Sequence, residues 1–265
     1  MGKYVRWTGI FVIIILLLTP VTGLAKEKIK EKNKYEIPEH VLTISKENTF
    51  PNATADLEVV EPSKQTKELL KQTDTKIENP DLIKLLNETT IKPSPIAIGY
   101  RGMVFLGRWP LHYQSEETNV NWQYQQINTN EANNFSGDED RKLHYNQMKQ
   151  KEIKGALTNK ISHTEDVKKM LLQTAKKKSK LPLSYETVIG KDTKKDHMYT
   201  VPVNKIGLLN AYATAVNEKG KVTFGEVYIE LKGSKKQIVL KNITKQGVGA
   251  WIPIQDHVSF SFQLK

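Results

Sequence analysis

The chain of 265 residues contains no cysteine. That removes disulfides, thiolate nucleophiles and thiolate metal ligands together, and it leaves no lipid-attachment cysteine near the N-terminus. Beyond the first 25 residues there is no apolar run long enough to cross a bilayer as a helix, a span that needs roughly 17–25 residues. The six histidines (His40, His112, His144, His163, His197 and His257) show no paired spacing of the HExxH kind. A nucleophile elbow, an S-x-x-K pair, a phosphate loop and a dinucleotide fingerprint are all missing. No cofactor and no metal is therefore expected. The acidic stretch Gly137-Asp-Glu-Asp140 lacks the ordered frame of a calcium loop and reads as solvated surface.

Carboxylates are also scarce relative to cations, 29 against 40. What stands at the N-terminus explains part of this. Lys3 and Arg6 precede the apolar run Ile10–Leu18, Pro20 breaks it, and Gly23-Leu-Ala25 supplies small residues. This is the pattern of a secretory signal cleaved between Ala25 and Lys26. An uncleaved anchor is the alternative, and Pro20 and the cleavage residues weigh against it. Cleavage leaves 38 basic and 29 acidic residues, a net charge of +9. A cysteine-free exported protein rich in Lys and Asn points to a Gram-positive bacterium. Its charge favours an anionic wall polymer or membrane surface as partner, and export excludes nucleic acid.

Residues 26–36, "KEKIKEKNKYE", form a charged spacer with almost nothing to bury, expected to be disordered. Residues 37–265 read as one mainly β, α+β globular region, with antiparallel, sandwich-like sheets, a few short helices and an irregular N-terminal arm. Two helices are expected early. One runs over Ser63–Thr73, and the next has Asn79 as N-cap and Pro80 at its first position. Ile96, Ile98, Tyr100, Val104 and Leu106 then alternate as a strand, and Val120, Trp122 and Tyr124 do so again after a bend. Residues 129–151 are polar and read as a surface loop, and the wider stretch 129–160 is the place where the region could subdivide. Ser162-His-Thr-Glu165 matches a capping box opening a helix with Val167, Met170, Leu171 and Ala175 on its apolar stripe. Six short strands separated by turns follow, "YETVIG", "MYTVPV", "GLLNAYATAV", "KVTFGEVYIEL", "KQIVLKNIT" and "VSFSFQL". Gly233-Ser234 is expected to close a type II′ hairpin with Ile229 opposite Ile238, Val227 opposite Leu240 and Glu226 opposite Lys241.

Two groups of residues are candidates for contact with a ligand. The bend "GRWPLHY" gathers Arg108, Trp109, His112 and Tyr113, an aromatic and basic set suited to an anion or a sugar. The competing expectation is that Trp109 folds back over its own core. The second group is the lysines of the helix opened at Ser162-His-Thr-Glu165, Lys168, Lys169, Lys176, Lys177 and Lys178, which suit an anionic surface. An ordinary solvated helix face is the alternative there.

"PSPIAIGYRGMVFLGRWPLHYQSEETNVNWQYQQINTN" and the β-rich tail resemble the YfkD-like family of uncharacterised exported Bacillus proteins. The resemblance extends over the whole chain. It implies a Bacillus-type host and export, and it brings no catalytic residues with it. The function expected from the sequence is that of a non-enzymatic envelope-binding or structural protein. An envelope hydrolase or transferase, with a site assembled across strands, is the alternative.

Overall fold

Three strands of unusual length organise the protein. The structure, a computed structural model, describes residues 35–52, 59–93, 99 and 101–265. The expected signal segment with its Ala25–Lys26 junction, most of the expected spacer, and Ile96, Ile98 and Tyr100 lie outside the described residues. Residues 35–265 form one compact unit.

In chain order the elements are β1 (Val41–Thr43), α1 (Lys64–Leu70), α2 (Pro80–Glu88), β2 (Arg101–Asn133), β3 (Arg141–Asn146), β4 (Lys151–Lys154), β5 (Ala156–Leu157), α3 (Thr164–Ser179), β6 (Glu186–Ile189), β7 (Lys194–Val201), β8 (Ile206–Lys232) and β9 (Lys235–Leu264). The fold is mainly β and antiparallel with a few helices. β2, β8 and β9 form a ribbon in the order β2-β8-β9, with β1 and β5 added on the free edge of β9. Two two-stranded sheets, β3-β7 and β4-β6, complete the structure.

A strand of 27 residues would run roughly 90 Å if straight. Register shifts interrupt that length. β8 pairs with β9 through shifts at Ala213/Ala215 and Phe224/Glu226. The buried row on β8 changes parity at each of them: Leu209, Ala211 and Ala213, then Val216, Val222 and Phe224, then Val227 and Ile229. A one-residue slip sends side chains to the opposite face, so each bulge comes with a matching change of phase in the sequence. The 467-sum register at the hairpin is present as expected, with Ile229 opposite Ile238, Val227 opposite Leu240 and Glu226 opposite Lys241. Gly233 takes φ +59° and Ser234 does not, as a type II′ turn requires.

Three apolar clusters follow one another along the ribbon. At the hairpin end Leu69 of α1 and Leu82 and Leu86 of α2 pack with Leu111, Val227 and Ile238. In the middle α3 places Val167, Met170, Leu171 and Ala175, the expected stripe, against Val216, Val222, Phe224 and Ile252. At the far end Leu143, Tyr145, Ile153, Ile189 and Val201 of the small sheets face Leu209, Ala211, Val258 and Phe260, sandwich fashion. Each such buried Leu or Ile contributes about 1.5–3 kcal/mol.

Three expectations require correction. Residues 129–151 are not one long loop: β2 continues to Asn133, β3 takes Arg141–Asn146 and β4 starts at Lys151, which leaves loop at 134–140 and 147–150. Their amides are structural partners, since Gln147, 1 % exposed, donates to the carbonyls of Ile127 and Lys149 and accepts from the Tyr145 hydroxyl. The capping box at Ser162 does not form. His163 takes the N-cap position in the left-handed region without a side-chain cap, and the Thr164 hydroxyl turns back to the Ile161 carbonyl. Finally, the expected break between "GLLNAYATAV" and "KVTFGEVYIEL" is absent, because Asn217–Gly220 continues β8.

Candidate functional site

The two strands expected on either side of "GRWPLHY" are one, since β2 runs through it with bulges in place of a break, and this bulged stretch is a junction for packing. β2 bulges at Leu111, between the pairs Pro110–Phe224 and His112–Thr223. The freed Leu111 carbonyl accepts from the backbone N–H groups of Glu78 and Asn79. Asn79, fully buried, caps α2 through its Oδ1, which accepts from the N–H groups of Asp81 and Leu82. Its amide nitrogen donates to the Pro110 carbonyl and to Asp166 of α3. One side chain thus ties the bend, α2 and α3 together. Lys169 adds a second tie, its ammonium 2.8 Å from Asp81.

The structure separates Arg108, Trp109, His112 and Tyr113. Arg108 reaches across to β9, donating to the Asn242 carbonyl and the Thr244 hydroxyl. Trp109 is half-buried over the hairpin-end cluster, its indole N–H donates to the Leu106 carbonyl at 2.9 Å, and its ring stacks on His163 at 5.9 Å. It folds back on its own core. His112 lies against the Lys76–Glu78 segment. Burial lowers its pKa below the usual 6.5, with Glu78 and a hydrogen bond to the Lys76 backbone opposing, and Nδ1 has no partner.

Tyr113 takes part in a different arrangement. Glu218 is fully buried in the row between Val216 and Val222, directly across from Thr118. Its two carboxylate oxygens accept from the Tyr113 hydroxyl at 2.9 Å and from the Thr118 hydroxyl at 2.6 Å. Tyr113 reaches it over Gly220, where a Cβ would stand 2.7 Å from the phenol oxygen. Burial, with the Glu218 charge adding to it, raises the Tyr113 pKa well above the ordinary tyrosine value. Ser115 lies 3.4 Å from Thr118, and Lys178 of α3 donates to Ser115 at 2.7 Å.

Above Tyr113 opens a cleft of about 570 Å³ between α3 and the segment leading into α2. Met170, Gln173, Thr174, Lys177 and Lys178 line one wall and Lys76 and Glu78 the other. The two groups of sequence candidates meet here in part: Tyr113 comes from the bend, and Lys177 and Lys178 from the helix. Lys76 is paired with Glu78 at 2.5 Å. Lys177 and Lys178 have no carboxylate within ion-pair distance among the described residues. Lys168 is taken up by Glu165 and by the ring of Tyr185, and Lys169 by Asp81. Lys176 is half-buried and does not line the cleft.

Sequence reading missed Gln173, Lys76, Glu78 and Glu218. Gln173 and Lys177 stand four apart, as do Thr174 and Lys178, so one helix face was already written in the spacing. Glu218 had a signal too, an acid at a position that alternates with apolar residues. Among the described residues no group of three or more metal-ligating side chains occurs, and no helix is long and apolar enough to cross a membrane.

Comparison with known proteins agrees with the sequence resemblance. The profile described as "YfkD-like protein" matches residues 38–265. A relative from Bacillus subtilis (strain 168), "Uncharacterized protein YfkD", is 54 % identical over 252 residues, covering 95 % of each chain. No solved structure matches. The cysteine-free, β-rich chain built on this long ribbon belongs to the YfkD-like family.

Proposed function

We propose that this is an exported, non-enzymatic envelope protein that binds an anionic polymer, and that the cleft above Tyr113 takes the polymer's phosphate-bearing chain. The observation that carries this reading is the wall formed by Gln173, Lys177 and Lys178, which presents an amide and two ammonium groups, neither lysine paired to a carboxylate among the described residues. An ammonium is a compact charge with three donors, suited to phosphate oxygens, and a cleft of this size falls within the usual range for ligand sites, about 300–1,000 Å³. The formal charge of +9 after signal removal gives the long-range attraction.

Titration calorimetry with soluble poly(glycerol phosphate) tests the cleft. Lys177→Glu is expected to weaken binding at least tenfold while the melting temperature stays within a degree or two. Unchanged affinity would refute the site. On isolated envelopes the protein is expected to wash off at about 1 M salt, where the Debye length is about 3 Å. The export half of the reading is checked by N-terminal sequencing of secreted protein, expected to begin at Lys26; a sequence beginning at Met1 would overturn it.

A specific observation favours a second reading. Tyr113 lines the cleft and is hydrogen-bonded to the carboxylate of Glu218 buried behind it, a phenol–carboxylate pair of the kind an envelope hydrolase or transferase would use. That reading requires turnover of an envelope polymer, lost in Glu218→Gln. The binding reading requires an unaltered polymer after incubation.

A further inference from the structure

We infer that the bare face of the hairpin end docks on an anionic lipid bilayer, a contact separate from the cleft and independent of the polymer reading. At this end α1 and α2 cover one face of the ribbon, the one carrying Val227 and Ile238. Residues of the opposite parity lie on the other face, and there Phe105 is paired with Tyr228, and Tyr228 with Val239. Phe105 is 56 % exposed and Met103, next along the same face, 40 %. The Phe105 and Tyr228 rings touch at 5.0 Å, so they form one apolar ridge.

Cations flank that ridge on both sides. Toward the turn, Arg101 pairs across to Lys232, and Lys232 to Lys235. On the other side Arg108 and Lys241 flank Glu226, and the Lys241 ammonium sits 5.1 Å over the Tyr228 ring. Both carboxylates of this face are already engaged. Glu230 accepts from Arg101 and from Gln237, and those side chains shield it from water. Glu226 accepts from Tyr228. What faces outward is a Met-Phe-Tyr ridge between positive rims.

Charge complementarity identifies the occupant. Aromatic rings with a polar edge settle at the depth of lipid head groups, and Lys and Arg beside them hold anionic phosphates. A second copy of the chain would set like rims against each other. The ridge is also too small for it, since a stable dimer buries about 800 Å² on each partner and a large aromatic at most about 250 Å². A phosphate polymer alone leaves the rings without a partner.

The absence of cysteine gives a direct test. The chain from Lys26, which carries the whole compact unit of residues 35–265, is labelled with a polarity-sensitive dye at Phe105→Cys or, on α3's C-terminal cap, at Lys180→Cys. Vesicles of equal parts phosphatidylglycerol and phosphatidylethanolamine should shift the Phe105 label to the blue and leave the Lys180 label unmoved. Phosphatidylcholine vesicles should shift neither. In unlabelled protein, Met103→Ser with Tyr228→Ser should lower vesicle co-sedimentation at least tenfold with an unchanged melting temperature. Lys177→Glu should retain vesicle binding, so loss of the polymer site and loss of this face are told apart. Absence of vesicle binding, equal shifts at both labels, or a double variant that sediments like the wild type would each overturn the proposal.

Discussion

At the far end of the ribbon, β3, β4, β6 and β7 lie over β8 and β9, and buried amides join the layers. At the hairpin end one face is covered by two short helices, and among the described residues no element covers the other. The same three strands serve both ends, so strand propensity does not account for the difference. The far end follows Leu209, Ala211 and Phe260 with partners that bury them, and fills its polar positions with Asn128, Asn134 and Gln147 bonded to backbone. The hairpin end leaves the Phe105–Tyr228 pair uncovered by any helix or second sheet among the described residues. Exposed apolar surface that the fold does not use is where contact with other molecules is to be sought.

The largest expected effect lies at the far end. Leu209→Ala empties a fully buried position and should cost about 2–5 kcal/mol in denaturant unfolding. Phe105→Ser, on an equally apolar residue, should change stability by no more than about 0.5 kcal/mol. Equal costs would erase the contrast between the ends.

Between the ends, Glu218→Ala should cost about 3 kcal/mol, because the Tyr113 and Thr118 hydroxyls lose their acceptor in a buried place. Unfolding monitored by tyrosine fluorescence would check it. A cost near zero would mean that the hydroxyls find water through the cleft.

Trp109→Ala should destabilise by about 2 kcal/mol, less than a fully buried tryptophan, since the ring is half-exposed. A double-mutant cycle with His163→Ala should return a coupling of about 1 kcal/mol for the stacked rings. A Trp109→Ala protein that melts like the wild type would show that the ring is no lid on the hairpin-end core.

The smallest effect is a dependence on pH. His112 has its pKa lowered, chiefly by burial, so the unfolded chain takes up a proton at a higher pH than the folded one. Its contribution to stability is complete above pH 6.5, falls as pH drops through 6.5, and levels off below the folded pKa. The stability difference between wild type and His112→Gln should stay constant with pH above pH 6.5 and change as pH falls below it.

Much of the fold was legible because local chemistry and tertiary packing agree. Asn79-Pro80 caps α2, the stripe of α3 is buried, and the Gly233-Ser234 register follows from the turn alone. The failures share a cause. Asn, Gln and Glu were read as solvated, yet Gln147 and Glu218 are inside, satisfied by groups 20 and 100 positions away along the chain. No local window shows such a partner, so residues 129–151 looked like loop and Asn217–Gly220 like a turn. The site was half legible for the same reason. Lys177 and Lys178 stand in one group of the sequence and Tyr113 in another, because contacts distant along the chain, Asn79 with Asp166, Lys178 with Ser115 and Trp109 with His163, bring α3 beside this part of β2.

The most direct test of the cleft as the polymer site is to titrate poly(glycerol phosphate) into protein carrying isotope-labelled lysine side chains and follow each ammonium-bearing methylene by NMR. The proposal predicts the largest shifts at Lys177 and Lys178, smaller ones at Lys76, and almost none at Lys232, Lys235 and Lys241. Shifts spread evenly over all lysines, or concentrated at the hairpin end, would contradict it.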